Sequence, residues 1–494
     1  MIQTLPKTIG FKTVLSLVIG SVIGAGIFMR PAEMAALLGS PALIMLAWLI
    51  AGLFTMLSVM ILAEMAAMMP EDGGQYALMR NIYGDFWGYL FGWASFAVIN
   101  CAATASLAFI FSQYLEYFIP LPSFSPTVER SFFIHIPLLG TVYPLEKFGV
   151  KCCSIFLLCL FTLISYRSTK SSGRLQDVFA VAKLCAIFIL IAGFVSGQSG
   201  SIHQMTTPSL SIHPEGLALV LAMAAAVNGA LAAYDGCSNM LNVTGEIRDP
   251  GRNIPKGLFW GMLISIAVYI TITLGIMYVL TIDEMAASQL VAKDAALRSF
   301  GPVGAGLVAF FICLSVIGTV NACILTPPRI TFAMARDNKF FKVAGVIHPK
   351  FKTPGNAMLL HLVWTVLLTL SGSFFMLADM SIFIVWLFNL FFVAGLFILR
   401  RRMPDVERPY KMWGYPWIPV LVFIGSLIFL ALIVTKDIRN YTSGQSAVVN
   451  SVAAMALTAM GIPLYYFFKW ANKGKDHAGI SNTAGTPERT DQRN

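Results

Sequence analysis

The sequence predicts an all-α membrane protein with twelve transmembrane helices, and three observations support this prediction. Of the 494 residues, 57% are apolar and only 12% are charged, whereas a water-soluble chain carries roughly 25% charged residues. The apolar residues form runs long enough to cross a bilayer, which takes roughly 20 residues per helix. The basic residues lie between these runs, so the net charge of +10 does not indicate nucleic-acid binding. Composition therefore excludes a soluble enzyme, a secreted disulfide-linked protein and a disordered chain.

Gly, Pro and charged residues lie between the apolar runs and separate the twelve predicted spans. Their approximate ranges are 13–38, 41–69, 86–118, 152–166, 176–197, 216–246, 256–281, 301–335, 356–374, 379–399, 416–435 and 447–469. We expect a first five-helix repeat in residues 13–197, a second, inverted one in 216–399, and helices 11 and 12 in 416–469. An even number of spans places both termini on one side of the membrane.

The distribution of Lys and Arg predicts the orientation. With the N-terminus inside, the inner segments hold 24 Lys and Arg residues and the outer segments hold 8. An excess of this kind is typical of cytoplasmic loops. We therefore expect a multi-pass protein of the inner cell membrane, with residues 1–12 as a cytoplasmic N-terminus and 471–494 as a disordered cytoplasmic tail. The first apolar run continues to Leu38, too far for a signal peptide, so we expect a retained helix.

Cysteines and short motifs predict neither a metal site nor catalysis. The eight cysteines lie within or at the edges of the apolar runs, and the sequence has no CxxC pair. We therefore expect no disulfide framework and no bound metal. The sequence also has no HExxH motif, no paired loop carboxylates and no nucleotide-binding motif. It predicts a protein that is not an enzyme and needs no cofactor.

Two spans carry interruptions that a lipid-facing helix would avoid. Span one has Gly24 and Gly26 on either side of Ala25, and span six has the polar run 234–239, which includes Asp235. A break leaves backbone N–H and C=O groups unpaired, and in hydrocarbon it persists only where it lines a cavity or meets a ligand. Free N–H groups at the start of a half-helix suit a carboxylate, whereas free C=O groups at the end of another suit an ammonium. The pattern predicts a site for a zwitterion.

The spacing of the interruptions supports a transport function. Spans one and six are the opening helices of the two five-helix blocks, as in inverted-repeat transporters with a site at the bilayer midplane. For the glycines alone, a small-residue packing motif from Gly20 to Gly24 is an equal alternative. The matching interruption five spans later favours the transporter.

Three charged residues and one tryptophan within the spans are candidates for functional roles. Lys183 lies in span five, about seven residues from the loop, a rise of about 10 Å that is long for snorkelling to the surface. We interpret it as a fixed or titrating cation that faces the broken first helix. Asp235 either caps the broken sixth helix, which we favour, or attracts a cationic substrate side chain. For Glu64 we favour a packing or gating hydrogen bond, and Trp386 is either a pocket wall or plain packing.

The same residues carry a family resemblance. The run Gly-Ser-Val-Ile-Gly-Ala-Gly-Ile-Phe at 20–28 resembles the first-helix signature of the amino acid–polyamine–organocation superfamily. The segments 233–236 and 244–250 resemble the sixth helix and following loop of L-type amino acid transporters, and 174–177 leading to Lys183 also matches that family. The matching segments occur in the same order as in the family and extend from about residue 10 to residue 470.

The resemblance implies a five-plus-five inverted-repeat, leucine-transporter-like fold with two further C-terminal helices. It also implies a carrier that moves amino acids by sodium-independent exchange. By matching positions, amides of Ala25 and Gly26 would hold the substrate carboxylate, and Lys183 would take the place of a sodium site and couple helices 1 and 5 to the transport cycle. The full set of expected substrate-binding residues is Val22, Gly24, Ala25, Gly26, Ala232, Asp235, Gly236, Cys237 and Trp386, with carbonyls of Val22, Ala232 and Asp235 on the substrate ammonium.

Departures from the family pattern concern the pocket and the partner. Ala25 stands where the family usually has serine, Ala232 where it has an aromatic gate, and Cys237 where it has tryptophan. The last two enlarge the pocket or move the gate elsewhere. Animal members attach to a glycoprotein through a cysteine between helices 3 and 4, but residues 119–150 contain none. We therefore expect a bacterial-type protein without a disulfide-linked heavy subunit.

The leading hypothesis is a sodium-independent amino acid antiporter that works by alternating access. A proton-coupled amino acid symporter, with Lys183 as the titrating group, is the nearest alternative. An amino acid sensor without transport is an alternative of another class, disfavoured because the chain has no soluble signalling domain. A channel is disfavoured because intramembrane polar residues are too sparse to line a continuous pore.

Overall fold

The computed structural model describes residues 7, 9–24, 26–71, 73–136, 140–196, 200–288, 290–371, 374–444 and 448–481. Helices make up most of this part of the chain. They are α1 Phe11–Val22, α2 Gly26–Leu38, α3 Pro41–Met68, α4 Gln75–Tyr83, α5 Asp85–Ala94, α6 Cys101–Leu115, α7 Pro126–Ser131, α8 Phe148–Arg167, α9 Thr169–Ser196, α10 Gly216–Tyr234, α11 Pro250–Val279, α12 Ile282–Ala287, α13 Val291–Leu325, α14 Pro328–Arg336, α15 Gly355–Ser371, α16 Phe374–Arg402, α17 Trp417–Thr442, α18 Asn450–Ala459 and α19 Gly461–Ser481.

Shorter segments of other kinds join these helices. A π-helical turn, Ser95–Asn100, links α5 to α6, and 3₁₀ segments occupy Cys237–Glu246 and Lys342–Gly345. Strands β1 (Ile134–Ile136) and β2 (Gly140–Val142) form an antiparallel hairpin between α7 and α8. The hairpin was not predicted, because strands of three residues leave no periodic signal.

The prediction of an all-α multi-pass membrane protein is confirmed. Among the described residues, ten helices or continuous helical runs are long and apolar enough to cross a membrane, and the bent pair α1–α2, counted as one span, makes an eleventh. The shorter apolar helix α15 occupies the position of the predicted ninth span. Helix therefore lies at each of the twelve predicted positions, and the protein is an all-helical multi-pass membrane protein.

Some boundaries differ from the predicted ones. Helix α13 begins at Val291, ahead of the predicted residue 301, and turns sharply at Gly301, whose φ is +69°. Helix α19 continues to Ser481, into the segment for which the sequence predicts a disordered tail. The residues at these helix ends are amphipathic or polar, and their hydropathy is lower than that of a transmembrane span. A prediction from hydropathy therefore placed the boundaries closer to the middle of each helix.

Close packing between helices depends on a small residue in α3. A Cβ at Gly52 would lie 2.6 Å from Cγ1 of Ile266 and 3.0 Å from the hydroxyl oxygen of Tyr234. Small residues let membrane helices approach one another closely. Gly52 therefore holds α3 against both α11 and the end of α10, next to the second predicted interruption.

The N-terminal segment identifies one face of the bundle. The backbone N–H of Ile9 donates to the Glu246 carbonyl at 2.9 Å, and the N–H of Arg248 donates to the Ile9 carbonyl at 2.9 Å. Residue 9 and the segment between α10 and α11 therefore lie on the same side. We call this side the N-terminal face and the other side the opposite face.

A buried carboxylate fastens α3 to α16 near the N-terminal face. Glu64, which is fully buried, accepts hydrogen bonds from Arg400 Nε at 3.0 Å and Nη2 at 2.7 Å. It also accepts from the Met412 N–H at 2.6 Å, and Arg408 Nε lies 3.4 Å away. These partners agree with a packing role for Glu64.

Replacing Glu64 with Gln should destabilise the fold. The change leaves Arg400 without its buried countercharge, a loss of about 3 kcal/mol, so the thermal unfolding midpoint in detergent should fall clearly. Glu407→Gln, at an exposed position of the same region, is the matched control. Equal unfolding midpoints for the two variants would show that this ion pair does not stabilise the bundle.

Candidate functional site

Both predicted interruptions are present. Helix α1 ends at Val22 and α2 begins at Gly26, with a bend of 42° between them. Helix α10 ends at Tyr234, and Asp235 follows in an extended conformation with φ −62° and ψ 156°. The next residue, Gly236, has a φ of +100°, which favours glycine. Ala25, which the sequence predicts to contact the substrate, lies outside the described residues.

The two interruptions lie against each other. A Cβ at Gly26 would lie 2.9 Å from the Cβ of Ala233, and one at Gly236 would lie 2.8 Å from the Ser21 carbonyl oxygen. Glycine at both positions therefore allows the start of α2 to pack on the end of α10, and the second break to pack on the end of α1.

Lys183 of α9 contacts the end of α1. Its fully buried ammonium donates to the carbonyl oxygens of Gly20 at 3.0 Å and Ile23 at 2.6 Å, and to Thr319 Oγ1 at 3.2 Å. The last carbonyls of a helix have no partner within the helix, and a cation is favourable at that end. Lys183 thus pairs the carbonyls that the break in span one leaves free.

Two hydroxyls of α13 join the same cluster. Thr319 Oγ1 donates to the Gly20 carbonyl at 3.2 Å, and Ser315 Oγ donates to the Ile23 carbonyl at 3.2 Å. Sequence reasoning did not assign either residue to the site. Their spacing of four residues, on one side of an apolar helix, was the available signal.

Tyr269 of α11 bridges the two interruptions. Its buried hydroxyl lies 2.8 Å from the Val22 carbonyl oxygen and 2.8 Å from the Ala233 carbonyl oxygen. The ring stacks on Tyr234 with 4.7 Å between centroids and meets Trp48 edge-on at 5.2 Å. No local pattern indicated this role, because a tyrosine in an apolar span ordinarily contributes only to packing. The single hydroxyl proton is shared between the two carbonyls, one of which is the Val22 carbonyl that the sequence predicts to meet the substrate.

A cavity lies beside the two interruptions, toward the opposite face. It has a volume of about 780 Å³, open mouth included. The N–H groups at the start of α2 and the C=O groups at the end of α10 have no partner within their helices, and both helix ends reach this cavity. The predicted site residues that line it are Val22, Gly24, Gly26, Ala232, Asp235 and Gly236.

A second cavity continues toward the N-terminal face. Its volume is about 790 Å³, open mouth included, and Cys237, Trp386 and Asp235 line it. Asp235, the residue that ends α10, is shared by both cavities. The Trp386 ring stacks on Phe54 at 5.4 Å between centroids. The structure therefore divides the predicted site residues between two adjacent cavities. Lys183, which lies behind α1, lines neither of them.

Ion pairs lie beyond the second cavity at the N-terminal face. Arg329 Nε donates to Glu246 Oε1 at 2.5 Å, which ties α14 to the segment after α10. Arg80 of α4 pairs with Asp337, whose carboxylate also accepts from the Tyr76 hydroxyl at 2.7 Å. Burial, together with the charge of Asp337, raises the pKa of Tyr76 above its ordinary value. These contacts link several helices and loop segments to one another at the N-terminal face.

Within the described part of the chain, no group of three or more His, Cys, Asp or Glu side chains could hold a metal ion. The eight cysteines are all free thiols.

Comparison with known proteins identifies the family. The family model described as amino acid permease matches residues 9–462. The chain belongs to this family. It is therefore a transporter of amino acids and not an enzyme, and its predicted membership of the amino acid–polyamine–organocation superfamily is confirmed.

Curated relatives of the permease are similar over almost their whole length. The serine/threonine exchanger SteT of Bacillus subtilis is 28% identical over 469 residues, which cover 94% of this chain and 97% of the relative. The large neutral amino acids transporter small subunit 2 of Homo sapiens is 28% identical, covering 95% of this chain and 82% of the relative. The b(0,+)-type amino acid transporter 1 of Homo sapiens is 27% identical, covering 95% and 90%.

Removing the Tyr269 hydroxyl should loosen the joint between the interruptions. Tyr269→Phe deprives two buried carbonyls of a shared donor, which should cost about 1–2 kcal/mol and lower the unfolding midpoint of the purified permease. Tyr441→Phe removes a hydroxyl from an exposed ring and serves as the control. If both variants unfold at the wild-type temperature, the hydroxyl does not hold the broken helices together.

Proposed function

We propose that the permease is a sodium-independent amino acid antiporter that holds its substrate between the two interruptions. The supporting observation is that the start of α2 and the end of α10, where backbone N–H and C=O groups have no partner within their own helix, line one cavity. A zwitterionic amino acid carries the complementary groups on a single carbon atom. Amides at Ala25 and Gly26 would hold its carboxylate, and carbonyls of Val22, Ala232 and Asp235 would hold its ammonium.

The contacts of Lys183 favour sodium independence. Carbonyl and hydroxyl oxygens at a helix break are the groups with which such carriers coordinate Na⁺. Here the ammonium of Lys183 already contacts three such oxygens, at 2.6–3.2 Å. A fixed positive charge in this place repels a second cation, so the lysine replaces the ion and ties the first span to α9.

The second cavity would receive the substrate side chain. It joins the first cavity at Asp235 and is bordered by Cys237 and Trp386, while Ala232 leaves the first cavity wide. Selectivity would then depend on how a side chain packs against these residues.

Transport would alternate between two openings. Exit through the N-terminal face requires that the Arg329–Glu246 pair and the Arg80–Asp337 pair separate, so these pairs would act as a gate. The repeats 13–197 and 216–399 would rearrange about the site. Substrate binding must favour the occluded intermediate for this exchange to proceed.

The proposed setting is the inner cell membrane, with both termini in the cytoplasm and the N-terminal face inside. The supporting observation is the Lys and Arg excess on that side. We also propose that the permease works without a disulfide-linked heavy subunit, because residues 119–150 contain no cysteine.

A proton-coupled symporter is the second candidate. Its supporting observation is that Lys183, although fully buried, has only neutral hydrogen-bond partners among the described residues. A buried lysine without a countercharge can give up its proton, which would couple transport to a proton gradient.

Proteoliposomes distinguish the two candidates. If the permease is an antiporter, labelled amino acid enters vesicles preloaded with unlabelled amino acid, and uptake neither requires Na⁺ nor responds to an imposed pH gradient. Empty vesicles then serve as the control and show little uptake. Uptake into empty vesicles driven by an acidic exterior would contradict the antiporter and support the symporter.

Removing Lys183 should impair turnover more than binding. In Lys183→Ala, two carbonyls at the end of α1 lose their donor, and a buried unpaired group costs roughly 1–3 kcal/mol. We expect initial exchange rates to fall about tenfold or more, with a much smaller change in the dissociation constant for substrate.

Lys12→Ala, which removes a charge at an exposed position of α1, is the control and should exchange at the wild-type rate. Unchanged exchange by the Lys183 variant, measured at equal amounts of reconstituted protein, would remove Lys183 from the mechanism.

A further inference from the structure

A cleft on the N-terminal face lies apart from the transport site. It is formed by the first turns of α11 and the segment that follows α16, and its volume is about 800 Å³, open mouth included. Asp249, Arg252 and Lys256 line one wall, and Pro409 and Tyr410 line the other. Gly251 allows the walls to meet, because a Cβ there would lie 3.0 Å from Cγ of Pro409.

The cleft presents two basic side chains to solvent. Arg252 and Lys256 are exposed and lie four residues apart on α11, so they share one face of the helix. Neither side chain forms a hydrogen bond or an ion pair with another residue in the described part of the permease. Asp249 is also exposed, which leaves the lining with a net charge of +1. The cleft therefore suits an anion.

The exposed face of α11 changes character along its length. After Arg252 and Lys256 come Trp260, which is 49% exposed, and Leu263, which is 39% exposed. These positions continue the same helical face at intervals of three and four residues. One stripe thus runs from charged through aromatic to aliphatic side chains, the order of groups that a phospholipid presents from headgroup to acyl chain.

The length of α11 places this stripe at the membrane surface. The helix has 30 residues, about 45 Å of rise, whereas the hydrocarbon core is about 30 Å thick. Its first turns therefore extend into the headgroup layer. Exposed tryptophan is typical of the membrane–water interface, which fits Trp260 at the boundary between the basic and aliphatic parts.

We propose that this cleft binds the headgroup of an anionic phospholipid. The lipid phosphate lies between Arg252 and Lys256, and the acyl chains run along Trp260 and Leu263. Basic pockets beside transmembrane helices recognise such headgroups through charge and hydrogen bonds to phosphate oxygens. The net charge of the lining favours an anionic lipid over a zwitterionic one.

Lipid titration of the full-length permease in detergent tests this assignment. Short-chain phosphatidylglycerol should raise the unfolding midpoint in a saturable manner, whereas phosphatidylcholine of the same chain length and inorganic phosphate should not. In the double variant Arg252→Gln and Lys256→Gln, the half-saturating concentration of phosphatidylglycerol should rise about tenfold, because both charged donors to phosphate are lost.

The matched control is the double variant Arg167→Gln and Arg174→Gln, which removes the same charge from exposed positions outside the cleft. It should respond to phosphatidylglycerol like the wild type. An equal loss in both double variants would mean that general surface charge binds the lipid. An equal response to phosphatidylcholine would overturn the preference for an anionic headgroup, and an equal response to phosphate would make the cleft a site for free anions.

Discussion

The fold depends on finding partners for backbone groups that two broken helices leave unpaired inside the membrane. A carbonyl without a donor costs several kcal/mol in hydrocarbon, so the breaks are stable only if other elements supply donors. The ammonium of Lys183 donates to the carbonyls of Gly20 and Ile23 at the end of α1. Tyr269 supplies a hydroxyl at the point where Val22 and Ala233 meet. Helices α9, α11 and α13 are therefore arranged around the two breaks.

The same constraint separates structural groups from binding groups. Carbonyls that face α9, α11 and α13 are paired by side chains of the protein. Residues at the start of α2 and at the end of α10 line the cavity instead. In the proposed mechanism a zwitterionic substrate would pair with the backbone groups of these residues, and its binding would also stabilise the joint between the half-helices. Gly26 and Gly236 bring the two breaks close enough for one small molecule to reach both.

Hydropathy and local sequence predicted the parts of the fold that depend on single segments. Long apolar runs predicted the spans, and Gly24, Gly26 and Asp235 predicted the interruptions. Tyr269, Ser315 and Thr319 were missed because their partners are backbone carbonyls of distant helices, which no local pattern specifies. Helix α4 and the β1–β2 hairpin were missed because short segments lack periodicity. Substrate choice could not be predicted from the sequence for a related reason, since the second cavity is lined by side chains from several spans.

An experimental structure of the permease with a bound amino acid is the most direct measurement. Density for the ligand should lie between the two breaks, with its carboxylate within hydrogen-bonding distance of the Gly26 N–H and its ammonium facing the Ala232 carbonyl. Lys183 should remain on Gly20 and Ile23. Ligand density elsewhere, or one continuous helix through residues 20–28 when the ligand is bound, would contradict the proposal that broken main chain grips the substrate.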